Sequence, residues 1–444
     1  MRIRAIPIVA LLIASAPCLA RADDVAPRLF VPQLLGAQYT FVDQHQYALR
    51  APYSGPLSLL PQGDTEQSHT FGAYFGVQLP AHFQFYFDVE MFKGEGVSGA
   101  TGLGGLTNGD VIRSGVAQLG KRPYVARRYL QWTLPLGGDT QSVSRGQDQL
   151  PGTQSARRVE VKLGKMAVSD DFDHNRYANS TRTQFMNWTL WNNPAWDFAA
   201  DTRGYTNGLM LAYVSPRWTL RYGVYQMPTE ANGQTLEWPL ARARGEQMQL
   251  TLRESPDSWA LRLLVYRNIA RMGIYRDALA IAQATGTKPD IVADDRDGRR
   301  KYGYAINAEL PLADGGDTGL FARYGWNDGH TESFVFTEVD RDASFGAQVS
   351  GAHWHRADDR LGIAFDMDAL SHEHRHYLAA GGCGFVLCDG GLDYRHEEIA
   401  EAYYAFQVLP HFTLSPDFQF IRNPGYNRDR GPVRFIGIRA HLEY

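Results

Sequence analysis

Long apolar runs and a strong net charge are both missing from this 444-residue sequence. Outside the N-terminus, no run approaches the roughly 18 apolar residues that a membrane-spanning helix needs. The mean hydropathy is -0.34 and the formal net charge is -4. A helical membrane protein is therefore excluded, and the sequence shows no basic footprint for nucleic acid. Low-complexity tracts and repeats of about 20–50 residues are also absent, which argues against solenoids and propellers.

Recognisable catalytic motifs are missing as well. The sequence has no Gly-x-Ser-x-Gly elbow or comparable nucleophile signature, so it predicts neither an enzyme nor a cofactor. A hydrolase whose residues converge from distant strands of a barrel is the alternative that this absence leaves open. Turnover of an ester or lipid by the purified protein would favour that alternative.

Cysteine is scarce, with three in the whole chain. Cys18 lies in the N-terminal segment, which leaves Cys383 and Cys388 separated by four residues. In an exported protein such a pair predicts a disulfide that closes a short loop. A metal site would need a second pair of ligands, and a redox motif favours two intervening residues.

The N-terminal residues 1–22 have the pattern of a secretory signal peptide. Arg2 and Arg4 precede the apolar segment 6–16, and small residues at 20 and 22 form a cleavage site. We therefore expect the mature protein to begin near Asp23 and to be exported.

The remaining residues, 23–444, contain many segments of about ten residues in which apolar and polar side chains alternate. This length and this period of two are typical of a tilted strand in an outer-membrane barrel. In the last segment, Ile436, Ile438 and Leu442 share one face, whereas Arg439 and His441 share the other. Sixteen such strands are predicted: 35–42, 70–79, 82–92, 124–134, 157–167, 205–214, 217–227, 246–254, 258–267, 301–310, 317–326, 343–350, 360–368, 399–408, 412–422 and 433–444.

The connections between these strands alternate between short and long almost throughout. Outer-membrane barrels have short periplasmic turns and longer extracellular loops, whereas a soluble sandwich has no reason to sort its loops in this way. One connection, 135–156, is too long for a turn. Either this connection forms an excursion on the periplasmic side, or the strands predicted on either side of it are misplaced.

Together these patterns predict a single all-β domain, a sixteen-stranded antiparallel transmembrane β-barrel of the outer membrane. Charged side chains on one face of many strands would be costly in a dry core but are expected around a water-filled lumen. The outer face would contact outer-membrane lipid and lipopolysaccharide.

Several blocks resemble the carbohydrate-selective porins of the OprB type. They are residues 162–173, 177–188, 192–205, 390–394, 401–404, 416–426 and 429–432. The resemblance implies a sixteen-stranded barrel in a Gram-negative outer membrane through which mono- or small oligosaccharides diffuse passively. A general porin, or one for another solute, is the alternative. Whether the protein is a monomer or a trimer is left open by the sequence.

A sugar pore needs aromatic faces for the sugar rings and polar groups that exchange hydrogen bonds with hydroxyls. The long connection 172–205 is rich in both, and we expect part of it to fold inward and narrow the lumen. Packing within the loop or a place in an interfacial belt is the alternative for its tryptophans. The candidates in this connection are Trp188, Trp191, Trp196, Asp197, Asp201 and Arg203.

Charged residues on the polar faces of the strands are the second set of candidates. Arginine suits this task because its rigid fork of donors can meet adjacent hydroxyls. Any one of these residues, taken alone, is also explained as a solvated charge in the lumen or as part of a row of ion pairs along the wall. The wall candidates are Asp88, Glu90, Arg127, Arg158, Glu160, Lys162, Arg221, Arg262, Glu309 and Arg323.

Three histidines alternate at His372, His374 and His376. On an extended loop they would share one face and form a possible metal site, although loops of outer-membrane proteins are often simply polar. No metal is therefore predicted.

Overall fold

The computed structural model describes residues 33–111 and 120–444, so the predicted signal segment 1–22 lies outside the described residues. Strands dominate the described residues. In chain order they are β1 (Leu34–Gln46), β2 (Asp64–Gln78), β3 (Phe83–Gly94), β4 (Tyr124–Pro135), β5 (Thr140–Val143), β6 (Gly152–Ser155), β7 (Arg158–Met166), β8 (Thr206–Val214), β9 (Trp218–Gln226), β10 (Arg244–Arg253), β11 (Ala260–Met272), β12 (Arg296–Ala313), β13 (Thr318–Asn327), β14 (Arg341–Ser350), β15 (Arg360–Ala369), β16 (Glu397–Leu409), β17 (Phe412–Arg422) and β18 (Val433–Glu443).

Sixteen of these strands close into one antiparallel barrel, in which β1 pairs with both β2 and β18. Closure pairs the backbone groups that an open sheet edge would leave exposed. The remaining two strands, β5 and β6, form a separate hairpin. The predicted barrel and all sixteen predicted strands are confirmed. The largest difference in a bound, six residues, occurs where β2 begins at Asp64 rather than at 70.

The two faces of the strands meet different surroundings, as the alternation predicts. In β18, Ile436, Ile438 and Leu442 are more than 40% exposed on the outside, whereas Phe435 and Arg439 are buried inside. An apolar outer band with polar residues inside is the arrangement of a barrel in lipid. The outer face therefore suits a membrane and the inner face a lumen.

The two ends of the barrel differ in the length of their connections. The turns after β2, β8, β10, β12, β14 and β16 are short, and both ends of the barrel chain lie on that side. The opposite end carries the long loops, which we call the extracellular end following the rule for outer-membrane barrels. The connection 136–157 belongs to the short-turn end. Its length comes from the β5–β6 hairpin, so it is an excursion and the neighbouring strands are correctly placed.

Within the described residues, three α-helices lie in the long loops, namely α1 (Trp188–Trp191), α2 (Tyr275–Thr285) and α3 (His372–Ala379). In the part of the chain that the structure describes, no helix has the length and apolarity needed to cross a membrane. The predicted disulfide between Cys383 and Cys388 is confirmed in the loop after α3.

The three alternating histidines lie on α3 and not on an extended loop. A helix places residues i and i+4 on one face and residue i+2 on the other. His372 and His376 are accordingly exposed with their ring centroids 3.9 Å apart, whereas His374 is buried with its Nδ1 2.9 Å from Asp340. The prediction of a face shared by all three is therefore wrong. Among the described residues, no group of three or more metal-ligating side chains could hold an ion.

Candidate functional site

The long loop 167–205, between β7 and β8, lies inside the barrel. Its backbone N–H groups at Met186 and Asn187 donate to Glu401, at 2.5 and 2.9 Å. Its carbonyl groups at Thr181 and Gln184 accept from Arg439, at 2.7 and 2.8 Å. Glu401 and Arg439 are buried residues of the inner wall. The loop therefore crosses the lumen and is fastened to the far side of the barrel.

Arg323 of β13 fastens the same loop at three further points. Its guanidinium donates to the carbonyl oxygens of Leu190 at 2.9 Å and Ala178 at 2.7 Å, and its Nε lies 2.9 Å from Asp173 Oδ2. Both side chains of this ion pair are buried. Arg323 thus neutralises the loop's Asp173 and satisfies backbone acceptors that water would otherwise have to reach.

Asp197 joins the same loop to its neighbour 328–340. Its carboxylate accepts from three consecutive backbone N–H groups, those of Phe334, Val335 and Phe336, at 2.8, 2.7 and 3.3 Å. Lys301 Nζ lies 3.5 Å from the same carboxylate, and both side chains are buried. Asp197 therefore acts as a loop connector, since its oxygens are directed to protein groups.

Next to this loop, Glu90 of β3 is at the centre of a cluster of donors. Its carboxylate accepts from Tyr205 Oη at 2.7 Å, Tyr124 Oη at 3.0 Å and Arg182 Nη2 at 3.0 Å. Arg182 also donates through Nε to Asp110 at 2.7 Å. The cluster links the barrel wall to loop 167–205 and, through Asp110, to the connection between β3 and β4, and it holds Arg182 in a defined orientation at the lumen.

Arg127 of β4 lies beside this cluster, next to a β-bulge. The pairing of β3 with β4 shifts so that Asp88 opposes Arg127 whereas Val89 opposes Val125, which leaves Ala126 as the extra residue. Tyr124 and Arg127 consequently both contact groups inside the barrel, although they are three positions apart. Arg127 faces the lumen in regular alternation with Tyr129, and the bulge is what turns Tyr124 inward as well, opposite Glu90.

Three carboxylates surround the Arg127 guanidinium. Its Nη1 lies 3.2 Å from Asp88, its Nε 3.2 Å from Asp148, and it makes a two-point contact with Asp170 at 2.7 and 2.8 Å. The fixed fork of an arginine suits several planar acceptors at once. The local formal charge of this group is negative, since three acids face one base.

On the extracellular side of Arg127 lies a cavity of about 340 Å³, which we call the outer cavity. A water molecule needs roughly 10–15 Å³ of such volume, so the cavity is large enough to be filled with water. Trp188 and Trp191 of α1 line it, with their rings packed edge to face at a centroid distance of 6.4 Å. The Nε1 of Trp191 has no hydrogen-bond partner among the described residues. That nitrogen is itself buried, so what the two tryptophans offer the cavity is their aromatic rings.

On the short-turn side lies a second cavity, of about 540 Å³, which we call the inner cavity. Charged wall residues line it, among them Arg158, Glu160, Lys162 and Arg221. Two of these bases are paired, Arg158 with Glu160 at 2.5 Å and Lys162 with Asp171 at 2.6 Å. The Arg127 group therefore stands between two spaces that can both hold water.

Two loop residues at the outer cavity have pKa values that favour constant protonation. Burial strongly opposes the phenolate form of Tyr205, and adjacent Glu90 adds to this, so the pKa of Tyr205 is raised well above its usual value. Burial alone would lower the pKa of Arg182, but Asp110 and Glu90 raise it well above its usual range. Tyr205 therefore stays a donor, and Arg182 stays a cation.

The predicted site residues fall into three groups in the structure. Those bordering the outer cavity are Glu90, Arg127, Trp188, Trp191, Asp201 and Arg203, with Asp88 directly behind Arg127. Those bordering the inner cavity are Arg158, Glu160, Lys162 and Arg221. Those buried within the inward loop or beneath it are Trp196, Asp197, Arg262, Glu309 and Arg323. The inward loop thus contributes Trp188, Trp191, Asp201 and Arg203 to the outer cavity, the strands contribute the wall residues of the first two groups, and the third group borders neither cavity.

Several residues at these spaces escaped the sequence reasoning. Arg182, Asp110 and Asp170 lie in loops, where no alternation indicates which side chains face the lumen. Gln147 and Asp148 lie in the excursion 136–157, whose sequence carries no signal for its direction. Arg182 does fall within a block that resembles the OprB-type porins, and this is the one signal that could have marked it.

Comparisons with known proteins agree with this architecture. The model of the family described as "Carbohydrate-selective porin, OprB family" matches residues 82–444. OprB of Pseudomonas putida, in its high-pH structure, superimposes with a TM-score of 0.63 at 17% identity over 92% of this chain and 94% of that chain. The outer membrane channel DcaP of Acinetobacter baumannii has a TM-score of 0.53 at 8% identity, over 93% and 96% of the two chains. At these identities the two structures show a shared fold. No curated protein sequence matches the chain.

Proposed function

Because this chain belongs to the OprB family of carbohydrate-selective porins of the bacterial outer membrane, we propose that neutral sugars cross it by passive diffusion through the space beside Arg127 and Glu90. Mono- and small oligosaccharides are the proposed solutes. They would enter the outer cavity from the extracellular end, pass the Arg127 group and leave through the inner cavity. No reaction and no energy coupling are involved.

The observation that carries this proposal is the composition of the outer cavity. It joins the rings of Trp188 and Trp191 to the charged groups of Arg182, Asp201 and Arg203 within one space that is large enough to hold water. Sugar rings have apolar faces that aromatic rings can cover, and hydroxyl groups that exchange hydrogen bonds with charged groups as water is lost. An aliphatic amino acid or a simple ion has no apolar ring face with which to contact the two tryptophans.

The arrangement also suits weak binding, which conduction requires. A solute must leave a pore as readily as it enters, so each contact must be weak or easily exchanged. Most charged groups at the site are already paired with protein, as Glu90 is with Tyr124, Tyr205 and Arg182. A sugar hydroxyl would therefore compete with existing protein contacts and would not neutralise an unpaired charge. The affinity of the site for the sugar consequently stays low.

Liposome swelling with the purified protein tests this function. Vesicles containing the protein should swell faster in monosaccharides than in amino acids or ions of similar size, and glucose-like sugars should reduce single-channel current in a planar bilayer. Equal permeation across the panel would instead indicate a general porin. Turnover of an ester or glycoside by the purified protein would contradict the passive role and favour a hydrolase.

The outer surface of the barrel is proposed to contact outer-membrane lipid and lipopolysaccharide. Apolar side chains such as Leu220, Leu263 and Phe345 are exposed on that face, at 39, 39 and 60%. Exposed apolar side chains in a band around the barrel are stable only against hydrocarbon. A tryptophan of this band, Trp259, serves below as a control for changes inside the lumen.

A further inference from the structure

The excursion 136–157 folds back into the barrel from the short-turn end. It consists of β5 and β6, paired from Thr140 with Ser155 to Val143 with Gly152, and of a tight turn beyond them. In that turn the backbone groups of Gly146 and Gln149 bond to each other in both directions, at 3.2 Å. An ordinary periplasmic turn joins two strands in a few residues, so this connection has a length that closing the barrel does not require.

The turn is fixed against inner-wall residues of three strands. Gln147 donates to Asp88 at 2.8 Å and accepts from Gln38 at 3.2 Å. Asp148 lies 3.2 Å from Arg127, and the backbone N–H of Leu150 donates to Tyr86 Oη at 3.2 Å. Leu150 is also buried in an apolar cluster of the wall. These contacts hold the turn inside the lumen.

Consecutive residues of the turn border different cavities. Gln147 borders the outer cavity, whereas Asp148 borders the inner one. On the opposite side of Arg127, Asp170 and Asp171 of the inward loop divide in the same way. The partition between the two water-filled spaces therefore runs between two pairs of adjacent residues, one pair from each end of the barrel.

We propose that this periplasmic hairpin is the inner half of the constriction, and that Gln147 and Asp148 are residues that determine which sugars pass. The inference rests on the proposed function, since it assigns to the hairpin the selection of the same solutes. Loop 167–205 narrows the lumen from the extracellular end, and the hairpin narrows it from the periplasmic end. Their side chains meet around Arg127, where a sugar must exchange its water for protein groups.

The test compares the wild-type protein with the double variant Gln147→Ala, Asp148→Ala. Truncating both side chains removes the atoms with which the hairpin separates the two cavities, so single-channel conductance should rise. The rate of liposome swelling in a disaccharide should also rise relative to the rate in a monosaccharide. The matched control is Gln141→Ala, because Gln141 pairs with Gln154 inside the same hairpin. Its conductance and sugar preference should equal those of the wild type.

A cysteine variant keeps the test decisive if the double variant does not fold. The mature chain contains two cysteines, and they are joined in the disulfide. Gln147→Cys should therefore react with a charged thiol reagent and lose conductance on modification, whereas Gln141→Cys should not. A modified Gln147→Cys channel that conducts like the unmodified one, or a folded double variant with wild-type disaccharide exclusion, would overturn the proposal. If the wild type itself shows no preference for sugars, the proposed function fails instead, and the conductance comparison still reports on the hairpin.

Discussion

Replacing Arg323 by alanine is the sharpest perturbation of the inward loop. The side chain is buried, and its partners, Asp173 and the carbonyl groups of Leu190 and Ala178, all belong to loop 167–205. The variant would leave the Asp173 carboxylate buried without its cationic partner, although Asn307 and the backbone N–H of Asn193 would still donate to it. We therefore expect the inward position of the loop to be strongly destabilised.

The size of this effect follows from the burial of the pair. Removing one partner of a buried ion pair costs about 3–5 kcal/mol. Since every 1.4 kcal/mol is a factor of ten, the ratio of inward to released loop should fall by roughly 100- to 4000-fold. The orphaned carbonyl groups add to this cost, because a buried acceptor without a donor is itself unfavourable.

Single-channel recording and limited proteolysis measure the released loop. Arg323→Ala should conduct more current than the wild type, with larger fluctuations, and protease should cut within 167–205. Arg323→Lys should be intermediate, because an ammonium group keeps the charge but cannot replace the fork of donors. The matched control is Arg422→Ala, an arginine 63% exposed in a pair with Glu398 at 3.2 Å, which is worth about 0–1 kcal/mol. Wild-type conductance and wild-type protease resistance in Arg323→Ala would refute the reasoning.

Three further changes test the lumen itself. Trp191→Ala removes an aromatic ring whose contact with a sugar is worth about 1 kcal/mol, so the sugar concentration that halves the current should rise about fivefold. The same change at lipid-facing Trp259 should leave that concentration unaltered. Glu90→Gln removes the negative charge that balances Arg182, so the reversal potential in a salt gradient should shift toward anion selectivity. An unchanged reversal potential would show that Glu90 does not contribute to the electrostatic potential of the pore. Burial raises the pKa of Asp148 well above its usual value, so its carboxyl group becomes negatively charged only as the pH rises. The cation selectivity of the wild-type channel should therefore increase with pH, and that of Asp148→Asn should increase less. Equal pH profiles of the two proteins would contradict this last prediction.

The barrel was predictable because its determinants are local. A strand between lipid and lumen must alternate with period two, and its length is set by the thickness of the membrane. The segment that became β17 was predicted with the bounds that the structure shows, 412–422. Errors arose at the ends, as at Asp64, where β2 extends beyond the apolar band and the alternation loses its contrast.

The wall residues that meet water were harder to predict than the wall itself. Alternation places Arg323 and Arg221 on the same inner face, yet Arg323 lies beneath the loop and Arg221 borders the inner cavity. The difference depends on where the inward loop packs, which is a long-range contact. The inner wall even contains Asp342 and Asp368 as direct neighbours on β14 and β15, both buried. Only some of the polar residues on the inner face of the barrel can therefore contact water.

The size of the barrel explains why the constriction has to come from connections rather than strands. A closed barrel of sixteen strands leaves an aqueous channel, and its wall residues are too far apart to meet across it. Selection of a small sugar therefore requires segments that enter the lumen, and here they enter from both ends as loop 167–205 and the hairpin 136–157. Such segments have no periodic pattern, because each side chain meets a different part of the wall. For the loop after β7 the sequence carried a second mark besides its length, namely its aromatic and charged residues, whereas the connection 135–156 was marked only by being too long for a turn. Its length predicted an excursion or misplaced strands, and its direction into the lumen became visible only in the structure.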